Sequence, residues 1–198
     1  MKFLFDLDGT VTSEETLPII ASIGGLEKQI TELTNDTVRG TVPCIESFIK
    51  RVNLLRNISV SMISSRLSDV KIYPQIYEFI QQHPKECAIV TGNLSCWLEG
   101  FNKKFDCDIY TSKALVENDK VVKIESILLK EKVVDKYHAA GEKVVFIGDG
   151  NNDLEAMRCA DISIAVGMTH SPAMSLLDIC DYVIYNEKTL CRQLNQLL

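Results

Sequence analysis

Five short apolar runs, each stopping abruptly at polar or glycine residues, constrain the fold of this chain more than any other feature. They are Lys2–Phe5 before Asp6, Cys87–Val90 before Thr91-Gly92, Val144–Ile147 before Gly148-Asp149-Gly150, Ile162–Val166 before Gly167, and Tyr182–Tyr185. Continuous apolar runs of this kind, rich in Val and Ile, read as strands buried on both faces. Helical patterns follow most of them, at Leu94–Lys103, Asn152–Arg158, Pro172–Leu177 and Lys188–Leu197. The alternation predicts an α/β chain with a Rossmann-like parallel sheet covered by helices. Between Thr12 and about Tyr73 the pattern turns helical throughout, with Ile45, Phe48, Ile49, Val52 and Leu55 at helix spacing. The expected organisation is therefore a core of residues 1–13 and 73–198 with a small helical cap, residues 14–72, inserted after the first strand. Val116 and Val121-Val122 flank Asn118-Asp119, which predicts a hairpin.

Composition narrows the function classes. The 198 residues are 46% hydrophobic and 24% charged, enough apolar surface for a sizeable core and too much for disorder. A net charge of −6 without Lys/Arg blocks argues against nucleic acid and against an anionic membrane surface as partners. No apolar run approaches the roughly 18 residues of a membrane span. Asp6 stands where a signal peptide would be apolar, so secretion is not expected. The seven cysteines are odd in number and form no C-x-x-C pair, the pattern of reduced thiols in a cytoplasmic protein. His83, His138 and His170 are too far apart in sequence to suggest an imidazole metal centre.

In open α/β sheets, ligands bind beyond the carboxyl ends of the strands. Three such ends carry Asp6-Leu7-Asp8-Gly9-Thr10, Thr91-Gly92-Asn93 and Gly148-Asp149-Gly150-Asn151-Asn152-Asp153. Four carboxylates converging on one edge stay ionised together only around a cation, and all-oxygen ligation suits Mg²⁺. Simpler explanations fail on spacing. A calcium loop needs Gly at its sixth and Glu at its twelfth position, and those places hold Val11 and Leu17 or Leu154 and Ala160. A dinucleotide fingerprint beginning at Gly148 would have Asp153 where its third glycine belongs, and that charge repels a pyrophosphate.

On these residues the chain resembles the haloacid dehalogenase-like phosphohydrolases, and within them the phosphoserine phosphatase group. The motifs occur in order as DLDGT at Asp6–Thr10, VTGN at Val90–Asn93, a lysine at Lys130 and GDGNND at Gly148–Asp153. The resemblance implies Asp6 as a nucleophile that forms an aspartyl phosphate and Asp8 as the general acid and base. It implies phosphate binding by Thr91, Gly92, Lys130 and Asn152. Mg²⁺ would be held by Asp6, the Asp8 carbonyl, Asp149 and Asp153. Asp8, two residues on, is expected on the same side of an extended chain as Asp6.

Glu15 and Arg51 match the residues that meet the substrate's amine and carboxylate in phosphoserine phosphatases, and Gly40 and Lys50–Leu55 are similar too. Gly9, Asn93 and Cys44 depart from the usual Ser, Gly and Phe of that group. The best substrate on this reading is O-phosphoserine, acted on by a monomer or homodimer. Alternatives are a phosphatase or phosphotransferase for phosphohomoserine, phosphoethanolamine or a sugar phosphate. A phospho-accepting receiver domain also uses an acidic cluster with Thr and Lys, but it lacks the helical insert and the second acidic cluster.

Overall fold

A computed structural model describes residues 1–38 and 41–198; Gly40 lies outside the described residues. The expected strands are present as β1 (Lys2–Phe5), β2 (Cys87–Leu94), β5 (Val144–Gly148), β6 (Ile162–Val166) and β7 (Tyr182–Ile184). The hairpin supplies β3 (Asp108–Glu117) and β4 (Lys120–Ser126). Its turn residues Asn118 and Asp119 sit at φ 48° and 61°, the left-handed geometry that a tight two-residue turn demands. The sheet order is β4-β3-β2-β1-β5-β6-β7, parallel throughout except for the β3–β4 pair. β1 therefore lies between β2 and β5, where the chain reverses its direction of travel across the sheet, the customary place for a ligand crevice.

Side-chain alternation along β1 sorts the two cores. Phe3 and Phe5 enter one apolar cluster and Leu4 the other, as a period of two requires. The first cluster is closed by α1 (Thr16–Gly24), α2 (Glu27–Val38), α3 (Cys44–Leu55), α4 (Val60–Ser68) and α5 (Pro74–Gln82), joined by α6 (Glu99–Asn102) and, at its far end, α10 (Glu187–Leu197). The second is closed by α7 (Lys130–Ala139), α8 (Leu154–Cys159) and α9 (Met174–Leu177). No helix among the described residues is long and apolar enough to cross a membrane.

Helices α1–α4 follow β1 and precede α5, and the two chain segments that lead into and out of them pair with each other. Thr12 bridges Ile72 in antiparallel fashion, Ser13 N donates to Lys71 O at 3.0 Å, and Tyr73 N donates to Val11 O at 3.0 Å. Two local expectations are corrected. The helix expected over Leu94–Lys103 is confined to Glu99–Asn102, because β2 continues through Leu94 to pair with Ser112. The chain after Asp6 is not extended: residues Leu7–Val11 coil through a wide turn, with Gly9 at φ +71°.

Candidate active site

The carboxyl ends of β1 and β5 bring the acidic residues together. Asp6 is the first residue beyond β1 and is anchored by its N–H, which donates to Ile147 O at 2.8 Å. Asp149 follows β5 directly, and Asp153 ends the tight turn before α8. Asp153 Oδ2 accepts from the N–H groups of Asp149 (3.1 Å) and Gly150 (3.0 Å), which folds the GDGNND loop around its own carboxylate. Close packing explains two glycines here. A Cβ on Gly9 would lie 2.6 Å from Asp149 Oδ2, and one on Gly148 would lie 2.4 Å from Asp153 Oδ2.

Lys130, the first residue of α7, reaches across to this cluster. Its Nζ lies 2.5 Å from Asp6 Oδ1 and 2.6 Å from Asp153 Oδ1, and it is 4% exposed. Burial alone would lower the Lys130 pKa, but Asp153 and Asp6 together hold it above the ordinary lysine value. Burial, then the neighbouring Asp153 charge, pushes Asp6 well above the usual carboxylate range, and burial raises Asp149 as well. Lys130 is thus shared between two of the three carboxylates. Carboxylate oxygens of Asp6, Asp149 and Asp153 all lie within 4.8 Å of one another, an all-oxygen donor set that fits a hard cation.

Asp8 sits beside them on the coiled turn. Its Oδ1 accepts from Thr16 N (2.6 Å), and its Oδ2 accepts from Asn93 Nδ2 (2.9 Å). Burial, and then Glu15, lift Asp8 to about 7. Thr91 is buried at the β2 end, where its hydroxyl accepts from Asn93 N at 3.2 Å. A cavity of about 480 Å³ joins this edge to the helices, lined by Asp6, Asp8, Thr91, Gly92, Lys130, Asp149 and Asn152 on one side and by Glu15, Phe48 and Arg51 on the other. Arg51 is half-buried: its Nε donates to Ser47 Oγ at 3.1 Å, and one terminal nitrogen donates to Ser47 Oγ at 2.7 Å and Thr37 Oγ1 at 3.1 Å.

The candidate catalytic, phosphate-binding, substrate-binding and metal-holding residues all border this one cavity except Asp153, which is fully buried and contacts Lys130. Asp8 arrives through the Leu7–Val11 turn rather than by strand alternation, and the turn brings Gly9 close against Asp149, where a Cβ would not fit. Sequence reasoning missed His170. Its Nε2 lies 2.8 Å from Asp149 Oδ2 and 3.2 Å from Glu15 Oε1, and those contacts raise its pKa to about 11. The available signal was its place just past Gly167, at the same edge of the sheet. Ser47 and Thr37 were missed too; Ser47 stands one helical turn before Arg51 and was legible from that spacing.

Similarity to known proteins agrees with the geometry. The chain is 27% identical over 183 residues to a phosphoserine phosphatase of Saccharomyces cerevisiae, with 82% of this chain and 58% of the relative covered. It is 25% identical over 175 residues to a phosphoserine phosphatase of Methanocaldococcus jannaschii, covering 82% of this chain and 83% of the relative. The chain thus spans little more than half of the yeast relative's length and most of the archaeal one's. A solved structure described as a substrate-bound phosphoserine phosphatase complex shares the fold, with a TM-score of 0.82 at 21% identity over 100% of this chain and 99% of the other. A family model described as haloacid dehalogenase-like hydrolase matches residues 3–158, and the chain belongs to that family.

Proposed function

We propose that this chain is a Mg²⁺-dependent phosphomonoesterase acting on a small phosphorylated metabolite, with O-phosphoserine as the first candidate. The observation that carries the proposal is the buried Asp6–Lys130–Asp153 arrangement beside Asp149, opening into a cavity whose far side holds Arg51. A carboxylate nucleophile, an ammonium for phosphoryl oxygens and a cation-binding set of oxygens are the parts a phosphate ester requires. The named relatives support the substrate class.

In this reading Asp6 attacks phosphorus as the ester P–O bond breaks, and Asp8 gives its proton to the leaving oxygen. Asp8 then takes a proton from the water that attacks phosphorus and breaks the bond to Asp6. Lys130, Thr91, the Gly92 backbone and Asn152 hold the phosphoryl oxygens. Asp6, the Asp8 carbonyl, Asp149 and Asp153 would hold Mg²⁺, which supplies the positive charge that lets a carboxylate approach a dianionic phosphoryl group. Glu15 and Arg51 meet the amine and carboxylate of a zwitterionic substrate, Arg51 through a planar fork already oriented by Ser47. Residues 14–72 serve as a cap that closes over the strand ends and excludes water.

A second reading rests on His170, which occupies Glu15 in this structure and so leaves less need for a substrate amine. A phosphate-release assay over phosphoserine, phosphohomoserine, phosphoethanolamine and sugar phosphates, with Mg²⁺ and with chelator, separates the two. Continuous, chelator-sensitive release that is fastest from phosphoserine is expected. Preference for an amine-free ester selects the second reading, and release that stops after one equivalent or never starts overturns the enzyme assignment.

A further inference from the structure

We infer that Asn93 is a positioning residue, which clamps the Asp8 carboxyl in the orientation that delivers its proton to a leaving oxygen. The inference rests on the phosphomonoesterase reading above. Residues two apart on a strand share a face, so Thr91 and Asn93 both project toward the cavity from the end of β2. The pairing of β2 with β3 loses register between Val90 and Leu94, which frees this stretch from a regular ladder. The Asn93 side chain is turned into the protein at 6% exposure. Its Nδ2 lies 2.9 Å from Asp8 Oδ2 and 2.9 Å from Thr16 Oγ1. A primary amide has two N–H donors, and both find an acceptor here; the flipped amide would set its oxygen against a carboxylate.

The arrangement does more than add one bond. Thr16 N donates to the other Asp8 oxygen at 2.6 Å, so each carboxyl oxygen is held by a different donor. A single bond leaves a carboxyl free to rotate about Cβ–Cγ, whereas two bonds on two oxygens fix its plane. The donors come from two different elements, Thr16 from α1 and Asn93 from β2, and the Asn93–Thr16 bond ties them together. Each oxygen keeps a second lone pair, which is where the transferable proton resides. Asn93 touches no reacting atom in this scheme. It acts through Asp8.

The test exploits leaving-group chemistry. The serine alkoxide of phosphoserine must be protonated as it departs, while p-nitrophenolate leaves without help. Asn93→Ala should therefore lower kcat/KM for phosphoserine by roughly 10- to 100-fold, within the range that general acid catalysis supplies, and lower it for p-nitrophenyl phosphate only a few-fold. The same carboxyl accepts the proton of the attacking water, so the variant should release a burst of nitrophenolate near one equivalent per site before a slow steady state. Asn93→Ser, which keeps a shorter donor in a smaller side chain, should show the same selectivity to a lesser degree, and thermal melting checks that both variants fold. Equal losses on the two esters without a burst, in either folded variant, overturn the role of Asn93. A wild-type protein that hydrolyses neither ester with Mg²⁺ present overturns the phosphatase reading itself.

Discussion

The two walls of the cavity are built on different principles. On the sheet side, Asp6, Lys130, Asp149 and Asp153 are each at most 4% exposed; Lys130 bridges Asp6 and Asp153, two backbone N–H groups hold Asp153, and Thr10 and His170 contact Asp149. On the helix side, Glu15 and Arg51 are half-buried and held by side chains alone, His170 in one case and Ser47 with Thr37 in the other. Buried charges locked to one another keep their geometry whatever ligand arrives, whereas half-buried side chains held by one or two neighbours can be exchanged by single substitutions. Under the function proposed above, the buried wall would carry the reaction and the half-buried wall would choose what undergoes it.

That division can be broken by experiment. Asp6→Asn, which removes the proposed nucleophile but keeps its shape, should cut Mg²⁺-dependent phosphate release by on the order of 10⁴-fold or more for every substrate. Persistent turnover of any ester would detach the chemistry from the sheet wall. Arg51→Ala removes charged hydrogen bonds from the helix wall and should raise KM for phosphoserine roughly 10- to 100-fold with little change in kcat. Phosphoethanolamine, which lacks a carboxylate, should be affected far less; equal effects on both would show that Arg51 is not selective.

The smallest effect concerns charge without turnover. Burial raises the folded-state pKa of Asp6, of Asp149 and, to about 7, of Asp8. A carboxyl raised in this way gives its full stabilising contribution below its unfolded value, 3.8, and for Asp8 that contribution is lost as pH rises through about 7. The protein without Mg²⁺ should therefore melt several degrees lower at pH 8 than at pH 5, and Mg²⁺ should raise Tm more at pH 8. An identical Mg²⁺ shift at both pH values would mean that the buried carboxylates are not where the cation acts.

The parts legible in the sequence were those governed by local rules. Apolar runs ending in Asp, Thr or Gly-Asp marked β1, β2 and β5, and the GDGNND spacing marked a loop that closes on Asp153. The unread parts depend on distant partners. β3 carries an alternating, half-exposed pattern and gains its place by pairing with β2, so its N-terminal half was not recognised as a strand. His170 reaches Glu15 across 155 positions of sequence, with no motif between them to announce the contact. The wide turn after Asp6 seats Gly9 against Asp149, a three-dimensional contact no spacing reveals.

The antiparallel neck at Thr12 and Ile72 makes the four helices described between them a side branch of the fold. Its two ends already meet, so the entropy of closing that loop depends only weakly on how much chain it contains. Neither neighbour of β1 in the sheet is contributed by the branch, since β2 and β5 both lie beyond it in sequence. Evolution can therefore lengthen, shorten or exchange the branch while the sheet keeps its order. The neck is a point at which chain can be added or removed without disturbing the neighbours of β1.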